Sequence, residues 1–136
     1  MVFNYLIGNM DAHSKNFSLL HPTATNIRLA PFYDIVCTRA YQNIAAKMAM
    51  KIGNKYAADH VLPRHWKQLS EEISYRYLAF VNLIETIGHK IKQAAAQKKE
   101  LHAKGIDHSI INKIIHFVEN NIDQTLKRLN ELSGVI

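Results

Sequence analysis

Apolar side chains return every three or four positions through the C-terminal part of the chain: Ile111, Ile114, Ile115, Val118, Ile122, Leu126, Leu129 and Leu132. That spacing puts them on one face of a helix, for which Asp107 is a credible N-cap. A second stripe, Phe80, Leu83, Ile84, Ile87, Ile91, Ala94 and Ala95, predicts an amphipathic helix over roughly residues 74–98, with Gly105 breaking the pattern after it. The C-terminal stripe reads as core packing rather than as a coiled-coil or partner seam. Pro63 suits the first turn of a helix running to Glu72, with Trp66 as its anchor in the core. Met1 to Ile7 reads as helix, stopped by Gly8 as a C-cap. Residues 9–16 read as loop. Phe17 to His21 and Ile27 to Leu29 read as two short strands of a hairpin, separated by Pro22-Thr23-Ala24-Thr25-Asn26. Ala45 to Tyr56 is ambiguous between a short strand and irregular structure, and ends at a Gly53-Asn54 turn signal. The fold expected is mainly α, with a short β-hairpin.

Length and composition support one domain over residues 1–136, since 136 residues at 48% hydrophobic content can bury a core without metals or disulfides. The lone Cys37 cannot form an internal bridge. With no charged-then-apolar leader and no run of eighteen apolar residues, the expectation is a reduced, soluble, cytoplasmic protein without a membrane segment. The net charge of +6 permits contact with phosphates, nucleic acid or an acidic protein, and decides among none of them. Lys90, Lys92, Lys98, Lys99 and Lys104, with His89 and His102, lack the interleaved aromatics of a nucleic-acid surface and read as a solvated face. The eight histidines include no H-E-x-x-H motif, and a single cysteine excludes C-x-x-C, so nothing points to zinc.

The chemistry is concentrated near the N-terminus. Asp11 and Asn16 lie five residues apart in Gly8-Asn9-Met10-Asp11-Ala12-His13-Ser14-Lys15-Asn16, and a further Asp follows in Pro31-Phe32-Tyr33-Asp34. A phosphotransferase of the protein-kinase type needs a carboxylate to orient the attacking hydroxyl, an Asn oxygen on magnesium, and a second carboxylate bridging metal and phosphates. Asp11, Asn16 and Asp34 have that chemistry in that order. The Asp-to-Asn spacing equals that of the kinase loop H-R-D-L-x-x-x-N, and the eighteen residues from Asn16 to Asp34 leave room for a hairpin that returns the chain to the metal. Individually such residues are common turn formers, so the argument rests on their combination.

The combination resembles one branch of kinases more closely than kinases at large. Asp11-Ala12-His13-Ser14-Lys15-Asn16-Phe17, followed by Leu29-Ala30-Pro31-Phe32-Tyr33-Asp34-Ile35, is similar to the HipA family, the Ser/Thr kinase toxins of bacterial toxin–antitoxin pairs, in their C-terminal region. Met48-Ala49-Met50-Lys51-Ile52-Gly53, Pro63-Arg64-His65-Trp66 and the helical tail are similar too, so the resemblance covers essentially the whole chain. It implies a kinase C-lobe-like helical domain with its hairpin beside the catalytic loop. It also implies Asp11 as the catalytic residue and Asn16 and Asp34 as magnesium ligands. His13 and Lys15 are candidates for contacting phosphate or bracing the loop. The Tyr-Asp pair stands where typical kinases have Asp-Phe-Gly, and no Gly follows Asp34.

The departures bear on activity. Only ten residues precede Asp11, and Gly8, Gly53, Gly88, Gly105 and Gly134 form no G-x-G, so the expectation is a lobe with half of an ATP site and without its N-terminal lobe. Orientation of the kind a phosphate cradle provides is worth ~7–11 kcal/mol, so the chain alone should be a very poor kinase. Mg²⁺ and ATP would act only with a complementing N-lobe, on a Ser or Thr of a protein substrate. The other reading is a noncatalytic module that keeps the family's partner surface for a HipB-like helix-turn-helix antitoxin, touching DNA only through that partner. Surface left bare by a missing lobe, with Val2, Phe3, Leu6 and Leu19 or Leu20 as candidates, predicts self-association.

Overall fold

The computed structural model describes residues 1–41, 44, 46–97, 105 and 109–133. Its first element, α1 (Val2–Leu6), turns Val2, Tyr5 and Leu6 inward. Gly8 ends it in a left-handed conformation at φ +76, where Gly8 N–H donates to the Tyr5 carbonyl and Asn9 N–H to that of Asn4. A helix this short leaves carbonyls at its end short of intrahelical partners, and Asn121 reaches two of the last ones from the far end of the chain. Its Nδ2 donates to the carbonyls of Tyr5 and Leu6 at 2.9 and 3.1 Å.

Strand β1 (Leu19–Thr23) pairs antiparallel with β2 (Asn26–Leu29). The turn is tighter than the sequence suggests, because Pro22 and Thr23 belong to the strand and only Ala24 and Thr25 separate the paired ends. The register shifts between Leu20 and Thr23, which accommodates a proline that has no N–H to donate. The ambiguous stretch is a second hairpin: β3 (Lys47–Ile52) pairs with β4 (Lys55–Ala57) across Gly53 and Asn54, with Gly53 at φ +55. Met48 and Ile52 are buried while Lys47, Ala49 and Lys51 face out, the period-2 pattern of a half-buried strand.

Helix α2 (Pro63–Glu72) follows with Pro63 at its first turn, as expected. Its capping bond is unusual: Leu62 N–H donates to His65 Nδ1 at 2.9 Å, a ring nitrogen in place of the usual hydroxyl or carboxylate. Trp66 is buried, edge-on to Tyr5 with ring centres 5.1 Å apart, and near Phe80 at 6.1 Å. Helix α3 (Tyr77–Ala96) starts three residues after the predicted 74, because Ser74 at φ +54 and a bond from Tyr75 N–H to the Ser70 carbonyl make a turn first. It buries Phe80, Val81, Ile84 and Gly88, whereas Leu83 of the predicted stripe is exposed.

Helix α4 (Ser109–Ser133) carries the C-terminal stripe. Val118, Ile122 and Leu129 are buried, with Ile114 and Leu126 packed beside them. The predicted cap Asp107 and the residues Lys98, Lys99, His102 and Lys104 lie outside the described residues, as does the side chain of Leu132. Helices α3 and α4 pack together, with α1 and α2 both against α3. The approach is close at Gly88, where a Cβ would stand 3.0 Å from Ile122 Cγ2. The fold is mainly α, and among the described residues no helix is long and apolar enough to cross a membrane.

The bare surface matches the one expected in part. Val2 and Leu6 are core residues, covered by this chain's own α3 and α4, and Phe3 is half-buried. Leu19 and Leu20 are exposed as expected, and Ile27, Leu29, Phe32, Ile35 and Val36, on the first hairpin and the segment after it, are exposed with them. Every residue of β1 and β2 is exposed. A two-stranded ribbon is marginal by itself, and here its base is tied to α1 by Phe32, which stacks on Phe3 at 6.1 Å and meets Phe17 edge-on at 6.2 Å.

Candidate active site

The loop that follows Gly8 is pinned before it reaches Asp11. Thr38 Oγ1 accepts from Met10 N–H at 3.1 Å and donates to the Gly8 carbonyl at 3.0 Å, while Ala49 N–H of β3 donates to the Met10 carbonyl at 2.8 Å. Met10 is buried and Asp11, the next residue, is exposed. Two open depressions meet at Asp11 and Lys47. One, of about 560 Å³, runs along Met48, Ala49 and Tyr56, and the other, of about 370 Å³, toward Thr38 and Ile44. A carboxylate fixed at its backbone and open to solvent at its oxygens can receive a hydroxyl-bearing substrate.

Beyond Asp11 the chain makes one short helical turn, Ser14–Asn16. Asn16 Oδ1 accepts from His13 N–H at 3.1 Å, and Asn16 Nδ2 donates to Asp34 Oδ2 at 2.6 Å. The hairpin therefore returns Asp34 to Asn16. Asp34 sits at φ +56, a left-handed conformation uncommon for a non-glycine residue and frequent at functional sites. Its carbonyl accepts from the buried Asn9 at 3.2 Å, and its neighbour Tyr33 donates its hydroxyl to the Lys15 carbonyl at 2.7 Å.

The other two candidates are placed nearby. His13 opens the helical turn half-buried, and its Nδ1 makes no hydrogen bond among the described residues. The Lys15 side chain is exposed and in no ion pair among them. Asn9, Tyr33 and Thr38 were not picked out from sequence. Asn9 and Tyr33 adjoin the motif, which is the only signal that marked them, and Thr38 acts across thirty residues with none.

An oxygen-only pair suits a hard cation, but magnesium takes six oxygen ligands and these two side chains offer two or three. Among the described residues no group of three or more His, Cys, Asp or Glu could hold a metal alone. Asn16 and Asp34 thus fit the protein's share of an ion whose other ligands come from phosphate and water. Cys37, near this loop in sequence, is buried, and burial pushes its thiol up, away from the reactive thiolate.

The family model of the HipA-like C-terminal domain matches residues 1–99. The chain belongs to this HipA-like family. The chain is 29% identical over 123 residues to "Putative kinase Y4mE" of Sinorhizobium fredii, covering 88% of the chain and 28% of that protein. It is 26% identical over 96 residues to the serine/threonine-protein kinase toxin HipA of Shewanella oneidensis, covering 71% of the chain and 22% of that protein. Among solved structures it resembles the Shewanella oneidensis HipA in complex with HipB and operator DNA, with a TM-score of 0.83 at 20% identity. That match takes in 99% of the chain and 32% of the solved chain, so the chain spans about a third or less of these relatives.

Proposed function

We propose that residues 1–136 are the catalytic lobe of an ATP-dependent Ser/Thr protein kinase of HipA type, acting in the cytoplasm. The observation that carries this is the 2.6 Å contact between Asn16, which lies five residues downstream of an open Asp11, and a left-handed Asp34. Asp11 orients the attacking hydroxyl of a protein substrate and takes up its proton as transfer proceeds. Asn16 and the Asp34 carboxylate would hold Mg²⁺, which would supply positive charge to neutralise the phosphates of ATP. His13 and Lys15 brace the loop or meet the transferred phosphate. Within these residues no glycine-rich loop cradles phosphate, so the lobe alone is inactive and works with an N-terminal lobe.

Reconstitution tests this. Mixed with a separately produced N-terminal lobe of a HipA-like kinase, the chain should phosphorylate Ser or Thr in casein or another general substrate. Asp11→Ala should lower that rate about 10²–10⁴-fold, the range for losing a positioned proton acceptor. Asp34→Ala should remove the magnesium-dependent rate.

A second reading has its own support, since the similar solved structure is a HipA bound to HipB and DNA. A HipB-like antitoxin would then bind this lobe whether or not it transfers phosphate. Capture of the chain by such an antitoxin, unaffected by Asp11→Ala, with no activity on reconstitution would favour the noncatalytic module.

A further inference from the structure

Asp34 holds a left-handed backbone conformation that is costly for most L-residues and least so for Asp and Asn. No glycine follows it to absorb the turn, since the next residue is Ile35. Something must therefore hold both ends of the residue. On the C-terminal side, the Asp34 carbonyl takes Asn9 Nδ2 at 3.2 Å, and Asn9 is itself buried and donates to Asn4 Oδ1 at 3.3 Å. On the N-terminal side stands Tyr33.

Tyr33 is 47% exposed, so burial is not what places it. Its hydroxyl is what engages the protein. The one phenolic hydrogen goes to the Lys15 carbonyl at 2.7 Å, so the contact at 2.9 Å to Ser18 Oγ has Ser18 as donor. Lys15 immediately precedes Asn16 and Ser18 follows it by two, so the tyrosine hydroxyl straddles the residue whose amide meets Asp34.

We propose that Tyr33 is a positioning residue for the metal site: its hydroxyl, held between the Lys15 carbonyl and the Ser18 hydroxyl, locks Asp34 in its left-handed conformation against Asn16. This rests on reading Asn16 and Asp34 as the metal ligands. Without the hydroxyl, the peptide between Tyr33 and Asp34 is free to turn, and Asp34 relaxes toward the right-handed or extended regions open to any residue. Its carboxylate then leaves Asn16. Partners that orient metal ligands are worth about 10–100-fold in metal affinity in other sites, and that is the scale expected here.

The test is Tyr33→Phe in the full 136-residue chain, which keeps the ring and removes both bonds. Ser18→Ala, which removes one bond, is the second variant. Nuclear magnetic resonance on ¹⁵N,¹³C-labelled protein reads the geometry without any activity: the Asn16 side-chain NH₂ pair should be split by its bond to Asp34, and the Asp34 Cα and Cβ shifts should be those of left-handed backbone. Tyr33→Phe should collapse both signatures while the thermal midpoint and the Trp66 resonances stay put, and Ser18→Ala should weaken them. In the reconstituted enzyme, the Mg²⁺ concentration for half-maximal rate should rise about 10–100-fold, with substrate KM unchanged and the rate restored by excess Mg²⁺. Retention of both signatures in Tyr33→Phe overturns the proposal, as does a loss of rate that Mg²⁺ does not restore. A wild-type chain that shows the signatures but transfers no phosphate on reconstitution overturns the kinase reading instead, and leaves the role of Tyr33 in the Asn16–Asp34 contact standing.

Discussion

Replacing Gly8 by alanine probes how the loop bearing Asp11 is launched, and two separate penalties meet there. Gly8 sits at φ +76, where a Cβ crowds the following carbonyl, at about 1–2 kcal/mol for an L-residue. The same Cβ would also fall inside contact distance of Phe117 Cε1 and 3.1 Å from Arg39 Cβ. Phe117 cannot simply retreat, because it lies on α4 with the Arg39 guanidinium 5.8 Å from its ring centre. Overpacking of that kind costs about 1–3 kcal/mol. Together Gly8→Ala should destabilise the domain by about 2–5 kcal/mol, read as a shift of the urea midpoint at constant slope. The two terms separate in a double-mutant cycle with Phe117→Leu, which removes the clashing ring atoms. Against that background Gly8→Ala should cost only the backbone term of about 1–2 kcal/mol. A loss below about 1 kcal/mol in the wild-type background, or an identical loss in both backgrounds, would refute the argument.

Other outcomes follow from the fold. His65 accepts the Leu62 N–H through Nδ1, so it must be neutral there, and burial, then Arg64 and Lys55, push its pKa below the ordinary 6.5. The unfolded chain binds that proton first, so stability is complete above pH 6.5 and declines as pH falls from 6.5 toward the lowered folded value. Urea midpoints measured across that window should fall in the wild type and flatten in His65→Asn. Asn121→Ala strips two donors from the end of α1 and should cost about 1–3 kcal/mol by the same denaturation assay. The exposed hairpin should make the wild type self-associate in sedimentation runs and Leu29→Glu with Ile27→Glu should remove that association, a monomeric wild type contradicting it, whereas Leu6→Glu, at a fully buried position, should unfold the protein.

Much of this was readable from residue order, and what was not has a common cause. The helices from Pro63 onward announced themselves through periodicity, because a stripe such as Val118, Ile122 and Leu129 must face a core wherever that core lies. The return of Asp34 to Asn16 was legible because spacing along a loop and a hairpin constrains where the chain can go. The exposure of Val2 and Leu6 was misjudged because what covers them, as the Asn121 bonds show, arrives more than a hundred residues later. The strand character of β3 was present as alternation of Lys47, Ala49 and Lys51 with Met48, Met50 and Ile52, but methionine is a weak strand signal. Thr38, Asn9 and Tyr33 act by single hydrogen bonds to distant backbone, and no pattern in the sequence marks such a bond in advance.

The central claim is that Asp11, Asn16 and Asp34 are one half of a phosphotransfer site. Its most direct measurement is incorporation of labelled γ-phosphate from ATP into a protein substrate by residues 1–136, with and without an added HipA-like N-terminal lobe, at saturating Mg²⁺. Label should appear only when both lobes are present and should vanish with Asp34→Ala. Equal incorporation without the added lobe, or incorporation that survives Asp34→Ala, would contradict it.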